Sequence, residues 1–155
     1  TISHCSAAEG GGVASGSNNR LGISSSTIDS CTAVNGMGGG LLLSDQNDGV
    51  GLYDTLLSNN VAVSNGGGLA STNLNEGLVI VGSVFQSNEA GDNGGAVFLE
   101  EGNSRTLIAD RDSVGTAQIV ETAHPYSVVD FSYGTGLIQE QYVQYPEAAE
   151  FLLIF

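Results

Sequence analysis

The 155-residue chain has no lysine and no tryptophan, and Arg20, Arg105 and Arg111 are its whole complement of Lys and Arg. Against 17 acidic residues this leaves a formal net charge of -14. Phosphate contacts need clustered Lys and Arg, so the composition excludes a nucleic-acid-binding surface. The same repulsion disfavours anionic membrane surfaces. The acidity reads first as a solubility device and second as a capacity for divalent cations. No apolar run approaches the roughly 18 residues a membrane-spanning helix needs, so no membrane insertion is expected here. The Asn-x-Ser/Thr sequon is absent, so N-glycosylation is not expected within these residues. The chain opens on Thr1 without an initiator Met and closes on the apolar stretch Phe151-Leu152-Leu153-Ile154-Phe155. These ends are expected to belong to a segment of a longer polypeptide, with any targeting signals outside it.

Glycine, by contrast, is abundant, and it is periodic. Gly10-Gly11-Gly12 recurs as Gly38-Gly39-Gly40, as Gly66-Gly67-Gly68 and as Gly94-Gly95-Ala96, with each start 28 residues after the last. An apolar residue follows each run (Val13, Leu41, Leu69, Val97), and Leu52, Ile80 and Ile108 keep the same period. A further column is read as Ile2, Ile28, Leu56 and Val84, each preceded by Thr1, Thr27, Thr55 or Ser83. Self-similarity at such a period marks a solenoid, whose repeats bury their apolar faces only by stacking. The coils are expected at 1–26, 27–54, 55–82 and 83–110. Their apolar segments are too short for helices and rich in Val, Ile and Leu, so three strands per coil are predicted, joined by Gly and Asn corners. A glycine-rich phosphate loop would need a following helix and a Lys or Ser/Thr at set spacing, neither of which is present. The glycines therefore read as corners, where φ is positive or backbones approach closely.

A small polar residue precedes an alanine by two positions in every coil: Cys5 and Ala7, Cys31 and Ala33, Asn60 and Ala62, Asn88 and Ala90. Stacked at one corner, Asn60 and Asn88 are expected to pass amide hydrogen bonds from coil to coil. Cys5 and Cys31 fall in the same column at about 4.8 Å strand spacing. That spacing fits both a disulfide and a pair of small buried residues. A disulfide would imply an oxidising, extracellular compartment.

The sequence Asn88-Glu89-Ala90 leading to Gly94-Gly95-Ala96-Val97-Phe98 resembles the repeat of the polymorphic outer membrane protein and pectin-lyase-like β-helix families. The resemblance covers roughly residues 1–110. It implies an all-β, right-handed parallel β-helix of about four coils, and surface or extracellular proteins. Beyond Asp110 the pattern stops: 111–118 is a polar connector, and both prolines lie in 119–155. Glu121-Thr122-Ala123-His124-Pro125-Tyr126 and Val143-Gln144-Tyr145-Pro146-Glu147-Ala148 resemble the opening strands of CUB-like β-sandwich modules. The competing reading is a cap that covers the end of the solenoid.

Candidates for chemistry are sparse. Asp54 and Asp110 share a column with Gly82 between them, about 9–10 Å apart by strand spacing, near the separation of carboxylates in inverting glycosidases. A column end beside a turn is where Asp is expected anyway, so no catalytic residue is assigned. Arg105 reads as a solvated charge or a partner of Glu100 or Glu101. His4 and His124 lack neighbours at zinc-ligand spacing, so no metal ligands are assigned. Asp45, Asn47 and Asp48 form an acidic turn compatible with weak Ca²⁺ binding, although turn chemistry explains the same residues. No cofactor is expected otherwise. The expected function is a non-catalytic structural or adhesive segment of a large extracellular or cell-surface protein, assembling with other protein chains or copies of itself. The alternative is a carbohydrate-binding or polysaccharide-degrading β-helix, which would want aromatic platforms, whereas Tyr53 is the only Tyr or Trp within the coils.

Overall fold

The structure is a computed structural model, and it describes residues 1–17, 20–73 and 75–100 together with the strand backbones at 106–109, 119–120 and 151–154. It is all-β, with parallel strands stacked as a β-solenoid. The first coil holds β1 (Ile2–Ser3), β2 (Ser6–Ala7), β3 (Val13–Gly16) and β4 (Gly22–Ser24). The second holds β5 (Thr27–Asp29), β6 (Thr32–Ala33), β7 (Leu41–Ser44) and β8 (Gly51–Tyr53). The third holds β9 (Leu56–Ser58), β10 (Val61–Ala62), β11 (Leu69–Ser71) and β12 (Val79–Val81). The fourth holds β13 (Val84–Gln86), β14 (Glu89–Ala90), β15 (Val97–Leu99) and β16 (Thr106–Ala109). Each strand pairs with its equivalent one coil along, in the orders β1-β5-β9-β13, β2-β6-β10-β14, β3-β7-β11-β15 and β4-β8-β12-β16.

Four sheets rather than three is a correction to the sequence reading. The missed strands, β2, β6, β10 and β14, are two residues long, and their inward residue is only an alanine. In β2, β6 and β14 that leaves no hydrophobic run to find, and in Val61-Ala62-Val63 the larger residues face outward.

A second correction concerns register. Ile2 pairs with Ile28, but Ile28 pairs with Leu57 and Leu57 with Phe85, so Leu56 and Val84 do not belong to that column. Ile28, Leu57 and Phe85 are fully buried, whereas Leu56 and Val84 face outward and are half-buried. A one-residue slip exchanges the two faces of a strand. The doublets Leu56-Leu57 and Val84-Phe85 conceal that slip, because either residue suits a core. The hydroxyl column moves with it: Ser26, Thr55 and Ser83 are equivalent, each donating to the carbonyl two residues before it (Ser24, Tyr53, Val81). Thr27 instead pairs with Leu56.

The core is a set of columns along the axis, Leu41-Leu69-Val97, Leu52-Ile80 and Ile28-Leu57-Phe85 among them. Each fully buried Leu, Ile or Phe contributes roughly 1.5–3 kcal/mol. Residues with left-handed backbone also stack in columns. His4, Ser30, Asn59 and Ser87 have φ from 52 to 55°, and Ser25, Asp54 and Gly82 from 46 to 59°. Except for His4, these are glycine or small polar residues, which tolerate that conformation at modest cost.

The glycine runs divide the labour of one corner. The first glycine of each, Gly10, Gly38, Gly66 and Gly94, has φ between 59 and 70°. In the first three runs the second and third glycines have ordinary φ but no room: a Cβ on Gly11 would lie 2.5 Å from the Gly39 carbonyl oxygen. One on Gly12 would lie 2.6 Å from that of Gly40, and one on Gly68 2.5 Å from that of Ala96.

Beyond the fourth coil, β17 (Ile119–Val120) adds to β13 in parallel, and β18 (Phe151–Ile154) adds to β16. The remainder of the 111–118 connector and of the 119–155 stretch lies outside the described residues, as do Asp110, Arg105, Glu101 and His124.

Candidate functional site

The polar side chains that the solenoid draws together lie between coils, at its corners. At the inner corner Asn60 is fully buried. Its Nδ2 donates to Ile28 O (3.0 Å) and Asn88 Oδ1 (3.0 Å), while its Oδ1 accepts from the Cys31 backbone N–H (3.0 Å). Asn88 repeats the pattern one coil along, accepting the Asn60 N–H at 3.0 Å and donating to Leu57 O at 2.9 Å. Each amide thus closes the turn of the coil before it, satisfying backbone groups that the strands leave unpaired.

Cys5 and Cys31 continue this column toward the first coil, since Thr32 N donates to Cys5 O beside the Ser6–Thr32 pair. Both are free thiols, with Cys31 buried and Cys5 half-buried. Their Sγ atoms donate to Ser3 O and Asp29 O, each at 3.4 Å. Burial pushes the Cys31 thiol above its ordinary value, so it stays protonated at neutral pH. Alkylation of the native protein should therefore modify Cys5 well ahead of Cys31, with Cys31 reacting on unfolding. Resistance of both thiols until a reductant is added would instead reveal a disulfide.

A second ladder escaped the sequence reading. Asn47 is buried, its Nδ2 donating to Ser44 O (2.7 Å), Asn75 Oδ1 (2.8 Å) and Ser15 O (3.2 Å) and its Oδ1 accepting from Ser15 Oγ (2.9 Å). Asn75 donates to Thr72 O (2.6 Å), Leu43 O (3.0 Å) and Ser71 Oγ (3.0 Å). The signal was available: Asn19, Asn47, Asn75 and Asn103 recur every 28 residues, although Asn19 and Asn103 lie outside the described residues. Asn47 thus turns inward, away from its acidic neighbours Asp45 and Asp48, which are exposed. Asp45 Oδ1 accepts from Asn73 Nδ2 at 3.3 Å, and Glu100 accepts from the Asn73 N–H at 3.1 Å.

On the outer surface the Asp29 carboxylate is held by three side-chain donors. It accepts from Ser58 Oγ (2.6 Å), Asn59 Nδ2 (2.9 Å) and Ser30 Oγ (2.9 Å). These donors, the Ser58 hydroxyl foremost, hold its carboxyl below the usual range. A depressed folded value means stability that is complete above the ordinary value of about 3.9 and is lost as pH falls through the folded value. Asp29→Asn should therefore remove part of the acid-induced loss of stability below about pH 4, read as a flatter acid limb in a plot of unfolding midpoint against pH.

Asp54 sits at a left-handed corner (φ 49°), in register with Gly82. His4 is exposed at another. Among the described residues no group of three or more His, Cys, Asp or Glu side chains could hold a metal ion. Tyr53 stands on the outer face, 42 % exposed, with its ring over Gly51. No family model matches this chain, and no curated protein or solved structure matches it either. The parallel β-solenoid therefore rests on the strands themselves, and the resemblance to particular families on the repeat residues alone.

Proposed function

We propose that the chain is a structural or adhesive segment of a large extracellular or cell-surface protein, a stiff rod that assembles with partner chains. The observation that carries this reading is the destination of the buried amides. Asn47, Asn60, Asn75 and Asn88 each make side-chain hydrogen bonds from one coil to the next, and Asn47 and Asn75 also close the turn of their own coil. Such ladders, alongside sheets that also bond along the axis, resist bending and separation of coils. The pairing of β17 and β18 onto the solenoid sheets favours a cap over the start of a CUB-like module. The test is sedimentation and electron microscopy of the native full-length protein, with and without a calcium chelator. A filament or multi-chain particle is expected, and a monomer with polysaccharide turnover would overturn the proposal. The carbohydrate reading draws on Tyr53, whose exposed ring is the kind of surface on which a sugar stacks. It requires that Tyr53→Ala abolish polysaccharide binding.

A further inference from the structure

Asn-Gly is the dipeptide most prone to spontaneous loss of the side-chain amide, because a glycine nitrogen reaches the neighbouring Cγ without steric hindrance. The chain has three: Asn35-Gly36, Asn65-Gly66 and Asn93-Gly94. They share one corner but not one environment. Asn65 Oδ1 accepts from Asn93 Nδ2 (2.9 Å) and from the Asn93 N–H (3.1 Å), and its Nδ2 donates to Ser64 Oγ (3.2 Å). The nucleophile beside it is also engaged, since the Gly66 N–H donates to Asn93 O at 2.9 Å. Asn93 is held through its Nδ2 by the same ladder. Asn35 is exposed, and among the described residues neither its side-chain amide nor the Gly36 N–H has a hydrogen-bond partner. The second coil carries one extra residue between Ala33 and Gly38, and Met37 takes the place that Asn65 and Asn93 hold in the next coils, since Gly10 N–H donates to Met37 O as Gly38 N–H does to Asn65 O; Asn35 therefore falls out of the column.

We propose that Asn35-Gly36 is a modification site of the folded protein, at which Asn35 converts to an aspartyl or isoaspartyl residue while Asn65 and Asn93 are preserved. The Gly36 nitrogen attacks Asn35 Cγ and closes a succinimide. The Cγ–Nδ2 bond breaks, and ammonia leaves with the proton from Gly36. Water then opens the ring at either carbonyl, so hydrolysis is complete without an oxidant or a cofactor. The site lies between two inter-coil bonds, Asn35 N to Ala8 O (3.0 Å) and Ser64 N to Gly36 O (3.2 Å). An isoaspartyl product lengthens the main chain between them by one carbon and adds a negative charge. It therefore loosens the second coil from both neighbours.

The test is timed incubation of the full chain at physiological temperature and mildly alkaline pH, with peptide mapping by mass spectrometry. Asn35 should convert at least about tenfold faster than Asn65 or Asn93, the factor that loss of one hydrogen bond corresponds to. In concentrated urea the three rates should converge. Equal rates in the folded chain, or Asn65 reacting first, would overturn the proposal. Asn93→Ala supplies a second reading: it removes the Nδ2 bond to Asn65 Oδ1 while leaving the bond from the residue-93 N–H, so conversion at Asn65 should accelerate part of the way toward its rate in urea, and an unchanged rate there would refute protection by the side-chain ladder.

Discussion

Asn60→Ala should destabilise the solenoid by about 3–5 kcal/mol, at the upper end of what single substitutions do. The side chain is fully buried, and its loss strands the Cys31 N–H and Ile28 O in a place where the stacked coils exclude bulk water. Each orphaned group costs roughly 1–3 kcal/mol, and a cavity forms as well. Asn60→Asp should be no better at neutral pH. It keeps an acceptor for Cys31 but loses the donor to Ile28 and buries a charge. Asn93→Ala is the control: its ladder is half-buried, so a cost of less than about 1 kcal/mol is expected. Urea unfolding followed by circular dichroism, with two or more probes because stacked coils need not unfold together, would measure all three. Equal midpoints for Asn60→Ala and Asn93→Ala would show that the inner ladder contributes nothing beyond the outer one.

Gly39→Ala is expected to cost at least about 3 kcal/mol, and for a different reason. Gly39 has no unusual φ, so conformational freedom is not at stake. A Cβ there would meet the backbone carbonyl oxygens of Gly67 and Val61, and the Val61 carbonyl carbon at 2.6 Å. Backbone held in a parallel ladder cannot move aside without parting the second coil from the third. Gly36→Ala makes the comparison direct, because the three atoms nearest the added carbon there all belong to the Glu9 side chain, with Cγ at 2.6 Å and Oε1 at 2.7 Å. That side chain can swing into solvent, so a cost of less than about 1 kcal/mol is expected. Thermal melts of the two variants should separate by many degrees. Coincident melts would mean that the coils part easily, and that the glycines serve the turn rather than the stacking.

These two residues illustrate what a linear reading can reach. The 28-residue recurrence of glycine is visible without a structure, and so is the position of Asn60 two before an alanine. The partners are not, since Asn60 joins Cys31 on one side to Asn88 on the other, 29 and 28 positions away. The Asn47–Asn75 ladder had the same period, yet Asn47 sits between Gln46 and Asp48 and reads locally as part of a polar turn. Only its burial separates it from them. Asp29 gave no local signal, because its donors Ser58 and Asn59 come from the next coil.

Composition and period were enough to establish an all-β solenoid and its approximate repeat. Glycine at a fixed interval, short β-branched and leucine segments and almost no cations leave few other solutions. The number of sheets, the inward residue of each apolar doublet and the sorting of asparagines into buried ladders or exposed turns were decided by stacking. Each depends on contacts between residues about one coil apart. The offset between coils is not constant: it is 26 from Ile2 to Ile28, 29 from Ile28 to Leu57 and 28 from Leu57 to Phe85. Corners absorb or supply the odd residue, and a shift of one position reverses inside and outside. A sequence period cannot resolve that shift, whereas the packed core must.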